Sequence, residues 1–372
     1  MSSSRRTFLA LTGAGLVLGA LAACARRRPD SAGAASGEHE EPTVGVMPDE
    51  AAQHTATWMS LGVRDEIWTE ELAEGARDAL LLIAATIARY EPVRALVNPG
   101  ENFAPIANVE YVTHPIDDLW IRDTGPTFVR SGADVLGVDF NFNGWGNRQE
   151  HAADATVAAG VCELAGSGRV RTELVLEGGA LEVDGEGTAI ITESCVLNDN
   201  RNPGWSKAEV EEELWRTLGI ERVIWLPGIR DRDITDGHTD FYARFTSPGV
   251  VVAGRDDDPD SFDYAVTREH LRILKRATDA RGRRLQVHVL PAPDTIREEW
   301  ETEDFAAGYI NFYVCNGAVI APEFGDPRAD EHARKTLAAL FPDREIVQLN
   351  IDPIAAGGGG IHCATQQQPA AG

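Results

Sequence analysis

Ser206-Lys207-Ala208-Glu209-Val210-Glu211-Glu212-Glu213-Leu214-Trp215-Arg216-Thr217-Leu218-Gly219-Ile220-Glu221-Arg222-Val223-Ile224-Trp225-Leu226-Pro227-Gly228 holds a helix, a strand and a stop in one uninterrupted run. Ser206 and Glu209 form a capping-box pattern ahead of Val210, Leu214 and Leu218, which share one helical face. Arg222–Leu226 is a short apolar run with strand character, ended by Pro227-Gly228. Reading outward, amphipathic helical stretches recur at about 69–90, 151–165, 262–281 and 328–341. The strand-like runs that follow them are Val93–Val97, Thr172–Leu176, Leu285–Leu290 and Glu345–Leu349. Hairpin-like pairs lie between units: Thr127–Val129 with Val135–Phe142, and Ala180–Val183 with Thr188–Thr192. Five such units suit one α/β array of quasi-repeats better than two unrelated domains. The alternative is an ordinary open α/β sheet, and the hairpins count against an all-parallel one.

The chain has 372 residues, 43% hydrophobic and 25% charged, which excludes a disordered or collagen-like polymer. Lys and Arg total 34 against 59 Asp and Glu, for a net charge of -25. That balance argues against nucleic acid or an anionic membrane as the main partner and suits a cationic small molecule or basic peptide. Residues 1–23 read as a twin-arginine signal peptide, with Arg5-Arg6 ahead of a soft apolar run too short to span a membrane. It ends in Leu21-Ala22-Ala23-Cys24, similar to a bacterial lipobox in which Cys24 is lipidated, so the expected location is outside the cell, membrane-anchored or secreted. The alternative is an ordinary cleaved signal with Cys24 incidental. Residues 24–42 read as a flexible tether, and residues 43–369 as one catalytic domain. Cys162, Cys195 and Cys315 show no CxxC or zinc-like spacing and are expected to be buried free thiols.

Four segments concentrate polar side chains where strand ends are expected. Asp117-Asp118-Leu119-Trp120-Ile121-Arg122-Asp123 sets Arg122 between two acids, implying fixed ion pairs with Asp118 and Asp123. Glu177-Gly178-Gly179 puts a carboxylate beside two glycines that allow close backbone approach. In Asp236-Gly237-His238-Thr239-Asp240, strand spacing would place an acid–His–acid row on one face and stabilise the imidazolium. Gly357-Gly358-Gly359-Gly360-Ile361-His362-Cys363 reads as a tight loop delivering a cysteine. Cys363 as nucleophile and His238 as proton shuttle make a Cys/His pair ringed by acids. A ring of acids hampers a protease oxyanion hole but suits a planar cationic guanidinium held by carboxylates.

Asp118–Pro126 (DLWIRDTGP), Leu176–Gly179 (LEGG), Thr235–Asp240 (TDGHTD) and Gly357–Pro369 (GGGGIHCATQQQP), in this order, resemble the agmatine deiminase and bacterial peptidylarginine deiminase family. That family belongs to the guanidine-modifying pentein superfamily, so the resemblance implies a five-bladed α/β propeller around a central site. It implies Cys363 and His238 as the catalytic pair and Glu177 as the acid positioning the histidine. Asp123 and Asp240 would grip the guanidinium, Trp120 would flank it, and Asn311 would line the site. The implied reaction converts a guanidinium to a ureido group and ammonia through a covalent thiouronium on Cys363, with no metal or organic cofactor needed. Agmatine, giving N-carbamoylputrescine, is the first substrate expected. Peptidylarginine or free arginine, giving citrulline, is the alternative, since Arg148 in Asn143–Glu150 would suit a carboxylate better than agmatine's ammonium.

Two readings come from other classes. A non-haem metal oxygenase would use His238, Asp240 and His362 as a two-histidine, one-carboxylate site, but residues 364–372 lack the basic side chain a keto-acid needs. A lipid-anchored guanidinium-binding protein without turnover would not need an intact Cys363/His238 pair.

Overall fold

The computed structural model describes residues 44–64, 67–300 and 305–372. The twin-arginine stretch, Cys24 and the tether therefore lie outside the described residues. All the described residues belong to one unit by their contacts.

The repeat takes the form of five separate small sheets, not one continuous open sheet. Four are three-stranded and built alike. Thr127–Ser131, Asp134–Asp139 and Gly168–Arg171 make one, and Leu181–Val183, Thr188–Thr192 and Arg222–Leu226 the next. Ala243–Ser247, Val250–Arg255 and Gln286–Pro291 follow, then Tyr313–Cys315, Ala318–Glu323 and Glu345–Asn350. In each, an antiparallel hairpin leads through a helix to a third strand parallel to the second, the crossover that parallel pairing requires. The remaining sheet has the same plan but draws on both chain ends. Gln366–Pro369 pairs antiparallel with His54–Ser60, which pairs parallel with Val93–Val97, and Val109–Thr113 adds a fourth strand.

The crossover helices are Glu70–Ile87, Val157–Ala165, Lys207–Leu218, Asp263–Leu274 and Pro327–Leu340. Lys207–Leu218 shows why they form where they do. The Ser206 side chain accepts from the Glu209 N–H at 3.3 Å, and the Glu209 carboxylate accepts from the Ser206 N–H at 2.8 Å. Both bonds satisfy donors that the first turn would leave orphaned. Gly219, at φ 70°, ends the helix in the left-handed conformation. Val210, Leu214 and Leu218 are buried in a cluster with Leu181, Ala189 and Ile191. Truncating a side chain as buried as Leu214 to Ala typically costs about 2–5 kcal/mol.

Two expected elements differ. The strand placed at Thr172–Leu176 lies earlier, at Gly168–Arg171. Instead, the Thr172 and Leu174 carbonyls accept from the Asn141 side-chain amide, and Val175 donates to the Asn202 side chain. Local polar side chains there replace a ladder. The helix expected over 262–281 ends at Leu274 because the Asp279 carboxylate accepts from Arg281 and Arg283 backbone N–H groups, closing a turn instead.

One regularity positions the site. Immediately ahead of the opening strand of each hairpin or antiparallel pair lies a loop or short helical turn: residues 117–126, 177–180, 236–241, 305–312 and 357–365. Each candidate active-site residue named from the sequence, Arg148 apart, occupies one of these five equivalent places.

Candidate active site

Residues Ile121–Thr124 form one short helical turn, and the Arg122 N–H donates to the Cys363 carbonyl at 3.1 Å, joining the first polar segment to the last. From this turn Asp123 directs a buried carboxylate inward. Its Oδ1 accepts from the Gly179 N–H at 3.0 Å, and its Oδ2 accepts from the Trp145 indole N–H at 3.0 Å. Its pKa is raised by burial, which the nearby His238 charge only partly offsets.

His238 lies between two acids. Nδ1 is 3.8 Å from Asp123 Oδ2, and Nε2 is 3.4 Å from Glu177 Oε2. Burial disfavours the imidazolium, but the Asp123 charge and the bonds to Cys195 and Glu177 outweigh it, so the pKa is raised well above the ordinary histidine value. Glu177 is itself fixed from behind, because Arg201 Nε donates to Oε1 at 3.0 Å and the Cys195 thiol donates to Oε2 at 3.3 Å. Burial opposes its ionisation, yet the Arg201 charge and the His238 bond hold its pKa down at about 2.

Cys363 Sγ lies 3.2 Å from the Asn311 side-chain nitrogen and 3.6 Å from Asp240 Oδ2. Asn311 Oδ1 also accepts from the His362 N–H at 3.0 Å, pinning the loop before the thiol. Burial pushes the Cys363 thiol up, and Asp240 and Asp123 push it further. Asp240 Oδ2 also meets His362 Nδ1 at 2.7 Å, while Oδ1 is buried with no partner. The orphaned oxygen of a carboxylate whose other oxygen lies 3.6 Å from a thiol is an unfilled acceptor for a cationic donor.

The glycines have local reasons. A Cβ on Gly179 would meet His238 Nδ1 at 2.6 Å, Asp123 Oδ1 at 3.0 Å and Asp240 Oδ2 at 3.1 Å, so three side chains converge on one Cα. A Cβ on Gly359 would collide with Trp120, which packs against Trp68 at 6.0 Å between centroids, and one on Gly360 would collide with Asn311.

The structure thus brings together Asp123, Glu177, His238, Asp240, Asn311, Cys363 and Trp120, the last through the Gly359 contact. Four expectations are corrected. Arg122 does not pair with Asp118 or Asp123; its guanidinium reaches Glu50 at 3.1 Å and Gln367 at 2.7 Å. Asp236, His238 and Asp240 do not form a strand row, because Asp236 is at φ 61° and Thr239–Phe241 is a 3₁₀ turn. Asp236 instead pairs with Arg201 and Arg148. Arg148 offers no free fork to a carboxylate: Nη1 donates to the Asp233 and Ile234 carbonyls, and Nη2 to Asp231 and Asp236. The two-histidine, one-carboxylate grouping also fails, since both His362 ring nitrogens are committed, to Asp240 at 2.7 Å and Glu50 at 2.9 Å.

Glu50, Arg201, Arg244 and Cys195 were missed. The only available signal was charge balance: Arg201 and Arg244 lie in otherwise polar or apolar stretches and need buried acids, and Glu177, Glu182 and Glu50 supply them.

Residues 46–369 match the Porphyromonas-type peptidyl-arginine deiminase family. A Streptomyces coelicolor protein provisionally named an agmatine deiminase is 45% identical over 341 residues, covering 87% of this chain and 98% of that one. The agmatine deiminase of Pseudomonas aeruginosa is 40% identical over 352 residues, covering 87% and 95%. Among solved structures, the agmatine deiminase of Enterococcus faecalis superposes with a TM-score of 0.82 at 32% identity, covering 87% and 96%. With the buried carboxylates, the imidazole and the thiol converging in one site, and with a family match running from the first described strand to the last, this chain belongs to the Porphyromonas-type peptidyl-arginine deiminase family.

Proposed function

We propose that this chain is an agmatine deiminase, converting agmatine and water to N-carbamoylputrescine and ammonia. The observation that carries the reading is the convergence of Asp123, Asp240 and His238 around Gly179, with Asp240 Oδ2 3.6 Å from the Cys363 sulfur and its Oδ1 buried without a partner. Asp123 and Asp240 hold the guanidinium, and Trp120 flanks it. The Cys363 thiolate attacks the guanidinium carbon, and the tetrahedral adduct collapses as His238 gives its proton to the departing ammonia. The amidino group remains on sulfur as a thiouronium. His238, now neutral, takes a proton from water and the hydroxide adds to the same carbon; the C–S bond then breaks as the hydroxyl proton passes to sulfur, and the ureido product leaves with the Cys363 thiol and the His238 imidazolium restored. Glu177, braced by Arg201, keeps the imidazole oriented and charged. Asn311 holds the Cys363 loop.

Agmatine is favoured over arginine because Arg148, the residue that would have met a carboxylate, is neutralised by its own acids, and because the relatives above carry that activity in their names. Peptidylarginine, the activity in the family's name, is the second reading. The test is a colorimetric ureido assay on agmatine, arginine and a peptide ending in arginine, with and without chelator. The expected result is product from agmatine that persists with chelator. No product from any of the three overturns the deiminase reading, and product lost on chelation turns it toward metal chemistry.

The five sheets are proposed to stand as blades around this site, which accounts for one functional segment from each. Export through the twin-arginine route and acylation at Cys24 are proposed from Arg5-Arg6 and the lipobox alone. Membrane fractionation of Cys24→Ala tests the anchor: unchanged membrane association rejects it.

A further inference from the structure

Among the described residues one grouping of three metal-ligating side chains brings its donor atoms within 4.8 Å of one another: Glu177, Cys195 and His238, all buried. Cys195 takes no chemical step above; it donates to the acid that braces His238. It ends the first turn after the strand Thr188–Thr192, in the helical turn Glu193–Val196, and aims its sulfur at the back of the carboxylate that braces His238.

Cys195 Sγ lies 3.3 Å from Glu177 Oε2, and His238 Nε2 lies 3.4 Å from the same oxygen. A tetrahedral zinc ion with bonds of about 2.0–2.3 Å separates neighbouring donors by roughly 3.3–3.8 Å. These two edges fall at the short end of that range, and the third, between Cys195 and His238, lies within 4.8 Å, so those two side chains close in by at most about 1 Å to seat the ion. The donor set also selects the metal. One thiolate, one imidazole and one carboxylate form a borderline-soft set of the kind Zn²⁺ takes, whereas Mg²⁺ and Ca²⁺ want oxygens alone. Three protein donors leave a fourth position, as in open zinc sites.

Charge bookkeeping allows it in a buried place. In the metal-free site the cluster holds one carboxylate, one thiol and one imidazolium. Zn²⁺ enters as the thiol proton and the imidazolium proton leave to water, so the net charge of the cluster is unchanged and no redox step is involved. Arg201, which stands behind Glu177, remains matched by its second acid, Asp236. The imidazole nitrogen that binds the ion is Nε2, the one now facing Glu177, so the ring can no longer be an imidazolium, and the Nδ1–H it keeps on the Asp123 side is a far weaker acid toward the departing ammonia.

We propose that Glu177, Cys195 and His238 form an inhibitory Zn²⁺ site built on the back of the catalytic histidine. Its inhibitory consequence rests on the deiminase reading; its binding does not. The test titrates the purified full chain with Co²⁺ as a spectroscopic substitute and reads the near-ultraviolet thiolate-to-cobalt band. The expected result is a band saturating at one equivalent in the parent and in Cys363→Ser, absent in Cys195→Ser, and displaced by Zn²⁺. No band in the parent, or a band that survives in Cys195→Ser and disappears in Cys363→Ser, overturns the site. Because replacing a buried cysteine risks the fold, Glu177→Gln is the companion variant: it keeps the thiol, and Co²⁺ affinity is expected to fall roughly tenfold or more. Unchanged affinity there also overturns the site. In the activity arm, Zn²⁺ inhibits the parent and chelator restores it, while Cys195→Ala needs at least about tenfold more Zn²⁺ for the same fractional loss. If the parent turns over no guanidine, the deiminase reading fails, and the cobalt band still decides the metal site.

Discussion

At the residue scale, buried acids press His238 and Cys363 the same way: both keep their protons, which leaves the imidazole charged and the thiol neutral. Asp123 and Glu177 favour the imidazolium, while Asp240 and Asp123 disfavour the thiolate. In the proposed mechanism His238 is protonated when ammonia leaves, so rate should fall on the alkaline side as pH rises through its raised pKa. Glu177→Gln removes one of the groups holding that proton. It should move the alkaline limb of the kcat profile to lower pH, by roughly 1–3 units, and a limb that stays in place would show that Glu177 does not act on the histidine. The thiolate problem has a natural remedy in the substrate. A guanidinium seated between Asp123 and Asp240 neutralises the charges that raise the Cys363 pKa. The rate of Cys363 alkylation followed against pH, with and without an unreactive guanidinium ligand small enough to leave the sulfur accessible, should show a lower apparent pKa with ligand bound. An identical pKa in both conditions rejects this coupling. Cys363→Ser should lower kcat at least about 10³-fold while still binding agmatine.

At the element scale, two small substitutions separate what the elements do. Ser206→Ala removes a helix cap far from the site and should cost about 1 kcal/mol in chemical denaturation, with activity unchanged. Gly179→Ala puts a methyl group 2.6 Å from His238 Nδ1. It should lower kcat/KM by about 10²-fold, as displacing a catalytic group by a fraction of an ångström does, with little loss of cooperative unfolding; near-normal activity would mean the three side chains have slack. The elements that were legible in the sequence were those with local signals. Lys207–Leu218 begins at its capping box, and Val93–Val97 and Arg222–Leu226 fall where their apolar runs do. Thr172–Leu176 looked equally apolar, yet Asn141 and Asn202, distant in sequence, took its backbone groups. The site divides the same way. Cys363, His238, Asp123, Glu177 and Asp240 sit in short motifs beside glycines. Their partners Arg201 and Cys195 lie 24 and 18 residues beyond Glu177 in its own unit, Glu50 comes from another, and no local pattern marks any of them. Arg148 was misjudged because its countercharges, Asp231 and Asp236, come from a loop more than eighty residues on.

At the scale of the whole molecule, one side chain ties the units together behind the site. Glu50 Oε1 accepts from the Val314 N–H at 2.8 Å and pairs with Arg244 at 2.9 Å, while Oε2 meets Arg122 at 3.1 Å and His362 at 2.9 Å. These partners lead into or lie within four different sheets, so Glu50 closes a set of contacts that no single unit can make. Burial alone would keep it neutral, but Arg244 foremost, then His362 and Arg122, hold its pKa well below the ordinary glutamate value. Glu50→Gln keeps the shape and removes the charge, leaving Arg122 and Arg244 short of a countercharge in a buried place. Breaking a buried pair in this way costs about 3–5 kcal/mol. The sign of its pH dependence follows from the depressed value. In the unfolded chain Glu50 titrates near 4.3, so its contribution is complete above that pH and is lost as pH falls from there through the folded value. Urea unfolding of both proteins at neutral pH and through the acid range should therefore show a large stability gap that narrows below about pH 4.3. A gap of constant size would mean that shape, not charge, is what Glu50 supplies.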